Sequence, residues 1–168
     1  ATDATSVYFG VQDGTLYALD RNSGTVRWEV QLNDGEPRAQ QLFSPPTLSD
    51  GKLYIGSATA ELYCVDVTSG ALLWTTNSSD WIRSKPLVVN NAIYVACLDG
   101  RVTALSNQGE EIWSKHAGHH PIFADLVGNE HGILISSSGL FLYSLDPESG
   151  EQQWRHSLLS CIYEGEKR

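Results

Sequence analysis

The chain has 168 residues, 41% of them hydrophobic, with 11 basic and 20 acidic side chains and a formal charge of −9. That length can bury a sizeable core. The acidic balance argues against nucleic acid and against anionic membrane surfaces, both of which reward clustered Lys and Arg. No apolar run approaches the ~20 residues of a membrane helix, so no membrane insertion is expected.

Taken in chain order, the apolar and alternating runs are strand-like, rich in β-branched and aromatic residues. SVYFG, TLYALD and TVRWEV come first. SPPTL (44–48) then leads into KLYIGS, ELYCVD and ALLWTT; SKPLVV (84–89) leads into AIYVAC, RVTALS and EEIWSK; IFADLV (122–127) leads into GILISS, LFLYSL and EQQWRH. The first group is expected to lack the inner run of the others. No window carries a helical period with caps, so the fold class is all-β.

The groups are copies of one unit. Trp28, Trp74, Trp113 and Trp154 lie 46, 39 and 41 residues apart, and Gly24, Gly70, Gly109 and Gly150 keep the same intervals. A period of roughly 40–45 residues with several strands per unit marks a propeller blade. The units are placed at 6–32, 44–77, 84–116 and 122–157, with a tail at 158–168. In YALDRNSGTVRW the Asp20 carboxylate can accept hydrogen bonds from turn amides, and Gly24 supplies the positive φ. That turn fixes where Trp28 lands, and a large apolar ring can cover the joint between sheets that cannot bury their faces alone. Asp66 with Gly70 and Trp74, and Asp146 with Gly150 and Trp154, repeat the pattern. Gly109 and Trp113 follow Ser106 where the Asp belongs, which weakens the third lock.

Ala18-Leu19-Asp20, Ser23-Gly24 and Trp28 resemble the A-x-D-x-x-T-G-x-x-x-W docking motif of pyrroloquinoline-quinone (PQQ)-type propeller repeats, in four copies spanning the chain. The resemblance implies four-stranded antiparallel blades. Because such repeats usually build eight-bladed rings, it also implies that four of them form half a ring, paired with a second copy as a homodimer or joined to further blades. The alternative is a closed four-bladed ring in which a tail strand near 159–163 completes unit one.

Three functions follow from resemblance. The chain is similar to propeller lipoproteins of outer-membrane barrel assembly, which are extracytoplasmic, non-enzymatic scaffolds for protein partners. Quinoprotein dehydrogenases come second; they stack the quinone between a tryptophan and a disulfide of adjacent cysteines, and Cys64, Cys97 and Cys161 include no adjacent pair. The segment 96–125 also resembles the propeller appended to beta-alanine-activating, adenylate-forming enzymes, which implies a cytoplasmic accessory domain. The scaffold reading leads, with no cofactor.

The residues least explained by the repeat lie between units, in NDGEPRAQQLF, NSSDWIRS and AGHHPIF: Arg38, Gln41, Phe43, Trp81, Arg83, His119, His120 and Phe123. Aromatic and Arg residues on variable loops of a rigid scaffold suit a protein interface; plugging the mouth of the ring is the competing role. His119 and His120 are adjacent and lack a third ligand at metal spacing, so no metal is assigned. No nucleophile elbow or catalytic triad motif is present. Cys64 and Cys97 read as buried structural thiols within strands.

Overall fold

The structure, a computed structural model, describes residues 1–32 and 42–159. The first sheet holds β1 (Ser6–Gly10), β2 (Thr15–Asp20) and β3 (Val26–Gln31), and the second β4 (Thr47–Ser49), β5 (Lys52–Gly56), β6 (Glu61–Asp66) and β7 (Leu72–Asn77). The third holds β8 (Leu87–Val89), β9 (Ala92–Ala96), β10 (Arg101–Leu105) and β11 (Glu111–His116), and the fourth β12 (Val127–Asn129), β13 (Gly132–Ser137), β14 (Phe141–Leu145) and β15 (Gln152–Ser157). Within each sheet, neighbours in sequence pair antiparallel. The all-β propeller architecture is the one that the repeats imply.

The inner strands differ from the expected runs. β4, β8 and β12 have three residues each and begin at Thr47, Leu87 and Val127. Pro45, Pro46 and Pro86 have no N–H for a ladder. The residues before them serve as loop anchors instead: Ser44 and Ser84 are buried, and Ile122 is fully enclosed.

The first unit does not start without an inner segment. Thr2 bridges Val7, Tyr8 N donates to Ala1 O (2.8 Å), and Asp3 N donates to Ser6 O (3.0 Å). Ala1, Thr2 and Asp3 thus take the register that Thr47, Leu48 and Ser49 take against Tyr54, Leu53 and Lys52. ATD has neither the β-branched run nor the proline that flags its counterparts, so its pairing leaves no mark in the sequence.

Each pairing of a third with a fourth strand slips by one residue at the same place: between Ala18 and Leu19, Cys64 and Val65, Ala104 and Leu105, and Ser144 and Leu145. The bulge sets each tryptophan opposite the small residue that precedes it: Ala18, Cys64, Ala104 or Ser144. A small residue there leaves room for the indole. The turns hold as their chemistry requires. Asp66 Oδ1 accepts from Thr68 N (3.1 Å), Ser69 N (2.8 Å) and Ser69 Oγ (2.7 Å), and Asp20 and Asp146 make the same set. Ser106 Oγ accepts from Gln108 N and Glu110 N, both at 3.2 Å.

Three tryptophans join successive sheets. Trp28 Nε1 donates to Val67 O (3.0 Å), Trp74 Nε1 to Asn107 O (3.2 Å) and Trp113 Nε1 to Pro147 O (2.9 Å). Each ring lies on the next turn glycine: a Cβ on Gly70, Gly109 or Gly150 would fall 2.6–2.8 Å from Cε3 of the Trp before it. A tyrosine from the second strand tilts against each indole, with ring centroids 5.9 Å apart for Tyr8 and Trp28, 6.0 Å for Tyr54 and Trp74, and 5.9 Å for Tyr94 and Trp113. The core is therefore three clusters, one per seam, rather than one central mass. Trp154 differs: it is 43% exposed, and no following sheet meets it among the described residues.

Candidate interaction face

Strand alternation puts two sets of connections at the same end of every blade: those between the second and third strands, and those that cross to the next blade. Their backbones are stitched together. Leu98 N donates to Trp81 O (3.1 Å), Ile82 N to Ser57 O (3.0 Å) and Ser138 N to Pro121 O (3.0 Å), and Ile82 bridges Cys97. One aliphatic residue in each crossing loop anchors it. Leu42, Ile82 and Ile122 are buried, the first two seated where Gly10 and Gly56 leave no Cβ in the way. A Cβ on Gly56 would lie 2.3 Å from Ile82 Cγ2.

The anchors explain where the candidate residues stand. Flanking positions of an extended segment point to the opposite side from the buried one, so the neighbours of Ile82 and Ile122 face outward. Trp81 is 44% exposed and Phe123 53%; Arg83 is exposed as well. Phe43, Arg83 and Phe123 occupy the same register position, one past the anchor, in three successive loops. The Arg83 guanidinium sits 5.1 Å from the centroid of half-buried Phe43, a cation–π distance. His119 and His120 are exposed, and the His120 ring packs over Gly139. Arg38 and Gln41 lie outside the described residues. Among the described residues, no group of three His, Cys, Asp or Glu is placed to hold a metal ion.

A polar notch beside this face escaped the repeat pattern. Arg101 donates from Nη1 to Ser114 Oγ (3.1 Å) and from Nη2 to His116 Nε2 (2.9 Å), and Ser114 Oγ meets Thr103 Oγ1 at 3.0 Å. Arg101, Thr103 and Ser114, with Asn77 and Glu111, line a hollow of about 310 Å³. Its signal in the sequence is the polar alternation Arg101, Thr103 and Ser114, which units one, two and four do not share. The two described thiols are enclosed. Burial pushes Cys64 up to about 11, and burial also raises Cys97, whose Sγ lies 2.8 Å from Ser78 Oγ. Neither is poised as a nucleophile.

The family whose profile matches residues 12–162 is described as outer membrane protein assembly factor BamB. BamB of Kangiella koreensis is 32% identical over 159 residues, covering 90% of this chain and 40% of that protein. A quinoprotein ethanol dehydrogenase of Pseudomonas putida is 30% identical over 170 residues, covering 86% of this chain and 26% of that enzyme. The crystal structure of BamB from Moraxella catarrhalis superposes with a TM-score of 0.79 at 25% identity, over 94% of this chain and 48% of that one. The chain thus spans about half of that structure and two fifths or less of these curated relatives.

Proposed function

The chain belongs to the PQQ-like repeat family of outer membrane protein assembly factor BamB, and on that premise we propose that it is a non-enzymatic propeller scaffold that binds a protein partner through its loop face. The observation that carries the reading is the row of outward Trp81, Arg83 and Phe123. Conserving the fold does not require them, because Ile82 and Ile122 do the anchoring and the docking tryptophans close the seams. Exposed aromatic and Arg side chains on a rigid base are the composition of an interface core. Phe43, through its contact with Arg83, belongs to the same patch; His119 and His120 form its rim.

A photo-crosslinker placed at 81, 83 or 123, in cells that make the protein, tests the reading. The expected result is one discrete adduct common to the three sites, lost from positions 81 and 123 on Arg83→Glu and absent from a crosslinker at Ile112 on the outer strand β11. Equal labelling from Ile112, or no adduct from the loops, would overturn it.

The 30% identity to a quinoprotein ethanol dehydrogenase favours a second reading, a segment of a PQQ-dependent enzyme. The residues present do not fit the cofactor. The stacking disulfide needs adjacent cysteines, whereas Cys64 and Cys97 are buried free thiols on different blades. Saturable binding of PQQ with calcium, together with dye-linked alcohol oxidation by this chain, would replace the scaffold reading with the enzymatic one.

A further inference from the structure

The polar notch between the second and third blades lies where the repeat gives up a tyrosine. Tyr17 on β2, Tyr63 on β6 and Tyr143 on β14 hold one register position, opposite Phe9, Ile55 and Ile135, and β10 has Thr103 there, opposite Val95. Tyr63 and Tyr143 are buried. The Tyr143 hydroxyl presses on the loop that crosses from the third blade, where a Cβ on Gly118 would fall 2.5 Å from it. One seam earlier Ser79 stands in the place of Gly118, because Ser78 N donates to Ala60 O as Ala117 N does to Gly100 O. The residue two before the tyrosine changes as well. Phe141 rests against Tyr143, and Glu61 Oε2 accepts from the Tyr63 hydroxyl (2.7 Å), whereas β10 carries Arg101. The third blade thus keeps a hollow of about 310 Å³ in place of a ring.

Every residue that lines this hollow is polar, and two of them carry opposite charges that do not meet. Arg101 is held by the Ser114 hydroxyl and a His116 ring nitrogen, neither of which is negative. Asp99 Oδ2 lies 3.9 Å from its Nε, beyond hydrogen-bond reach. Each terminal nitrogen of the guanidinium therefore keeps one N–H for a further acceptor among the described residues. Glu111 is exposed, and no ion pair joins it to Arg101 among the described residues. Strand register sets the gap. The guanidinium reaches back to Ser114, opposite Thr103, and Glu111 stands opposite Leu105 on the same side of β10. Two positions along a strand put the charges about 7 Å apart.

We propose that the notch binds a small zwitterion of dipeptide size, its carboxylate on Arg101 and its ammonium on Glu111. A planar guanidinium with one free N–H on each terminal nitrogen matches the two oxygens of a carboxylate. Two extended residues span about 7 Å, the gap between the charges. The Thr103 hydroxyl and the Asn77 carboxamide line the space between them and can bond a peptide group as donor or acceptor. Other ligand classes match the lining less well. A simple oxyanion would face Glu111 and Asp99, a simple cation would face Arg101, and an uncharged sugar would leave both charges unanswered. Apolar ligands find no apolar wall. The proposal does not depend on what the loop face binds.

Titration of the 15N-labelled protein with alanyl-alanine, followed by NMR, tests it. The expected result is saturable shifts at the amides of Asn77, Arg101, Thr103, Glu111 and Ser114, with the seam between the third and fourth blades unmoved. The dipeptide amide, which lacks the carboxylate, is expected to bind about tenfold more weakly. The N-acetyl dipeptide, which lacks the ammonium, is expected to lose about threefold, because Glu111 is exposed. Glu111→Gln should erase the difference between the free and acetylated forms and keep that of the amide; Arg101→Gln should do the converse. Thr103→Tyr combined with Ser79→Gly refills the hollow in the manner of the fourth blade. That variant is expected to keep the circular dichroism spectrum and to abolish the shifts. No saturable shift up to about 10 mM, equal binding of all three dipeptide forms, or equal shifts with acetate or glucose would overturn the proposal. So would binding that survives the refilled hollow. If the refilled variant fails to fold, the two charge variants still decide.

Discussion

A methyl group placed on Gly24 and on Gly150 separates what the turn costs from what the seam costs. Both glycines have nearly the same backbone, φ +71° and +70°, in turns with the same Asp lock. Alanine at either site therefore bears the left-handed penalty of about 1–2 kcal/mol. At Gly24 nothing else is added, because the new Cβ lies in open space. At Gly150 it would sit 2.6 Å from Trp113 Cε3, 2.7 Å from Cδ2 and 2.9 Å from Lys115 Cγ. Lys115 can swing away. The indole cannot, being buried, tilted against Tyr94 and bonded to Pro147 O. Overpacking of this kind adds about 1–3 kcal/mol. Gly150→Ala should therefore destabilise by about 1–3 kcal/mol more than Gly24→Ala. The comparison is read by urea denaturation followed by circular dichroism. Equal losses, or a larger loss at Gly24, would refute the idea that the turn glycines exist to receive the indole of the preceding blade.

The same packing predicts that Trp74→Ala lowers stability by about 3–5 kcal/mol, whereas Trp81→Ala costs well under ~1 kcal/mol as a surface change; chemical denaturation with the order reversed would contradict the assignment. Asp66 is held below the usual carboxylate range by the Ser69 hydroxyl and then the Ser69 and Thr68 amides. A depressed native pKa stabilises above the unfolded value and loses that effect as pH falls. Asp66→Ala should therefore lower the melting temperature at pH 7, with the gap closing as pH drops below ~4; a constant gap would contradict the charged lock. In a Cys161→Ser background, Cys64 and Cys97 should resist a thiol reagent at pH 8 until the chain is unfolded, because both are buried and their pKa values are raised. Labelling of either at the rate of a free thiol would refute their enclosure.

Much of this architecture can be read without coordinates because the repeat states it four times. An Asp (Ser106 in the third copy), a Gly three or four residues on and a Trp four beyond that define a turn and a docking position, and side-chain spacing alone distinguishes the docking tryptophans from Trp81. What single-chain reading underweights is the neighbour. Trp154 carries the same motif as Trp113, and only the packing shows that Trp113 is 7% exposed and Trp154 43%. The inner strands were legible as apolar runs but not in length, since proline and buried anchors shorten them. Ala1 to Asp3 gave no strand signal, because their pairing depends on the shape of β1 rather than on their own propensity. On the loop face, Phe43, Arg83 and Phe123 stood out as residues the repeat does not need. Their common register became visible only through Leu42, Ile82 and Ile122, whose burial sets the phase of each loop.

Hydrogen exchange at the five indole N–H groups, followed by NMR on the 15N-labelled chain, tests the seams most directly. The account predicts slow exchange at Trp28, Trp74 and Trp113, whose Nε1 atoms donate to carbonyls of the following blade. Trp81 should exchange rapidly at every concentration. Trp154, which is 43% exposed, should also exchange rapidly. Protection at Trp81, or exchange at the three seam tryptophans as fast as at Trp81, would contradict it.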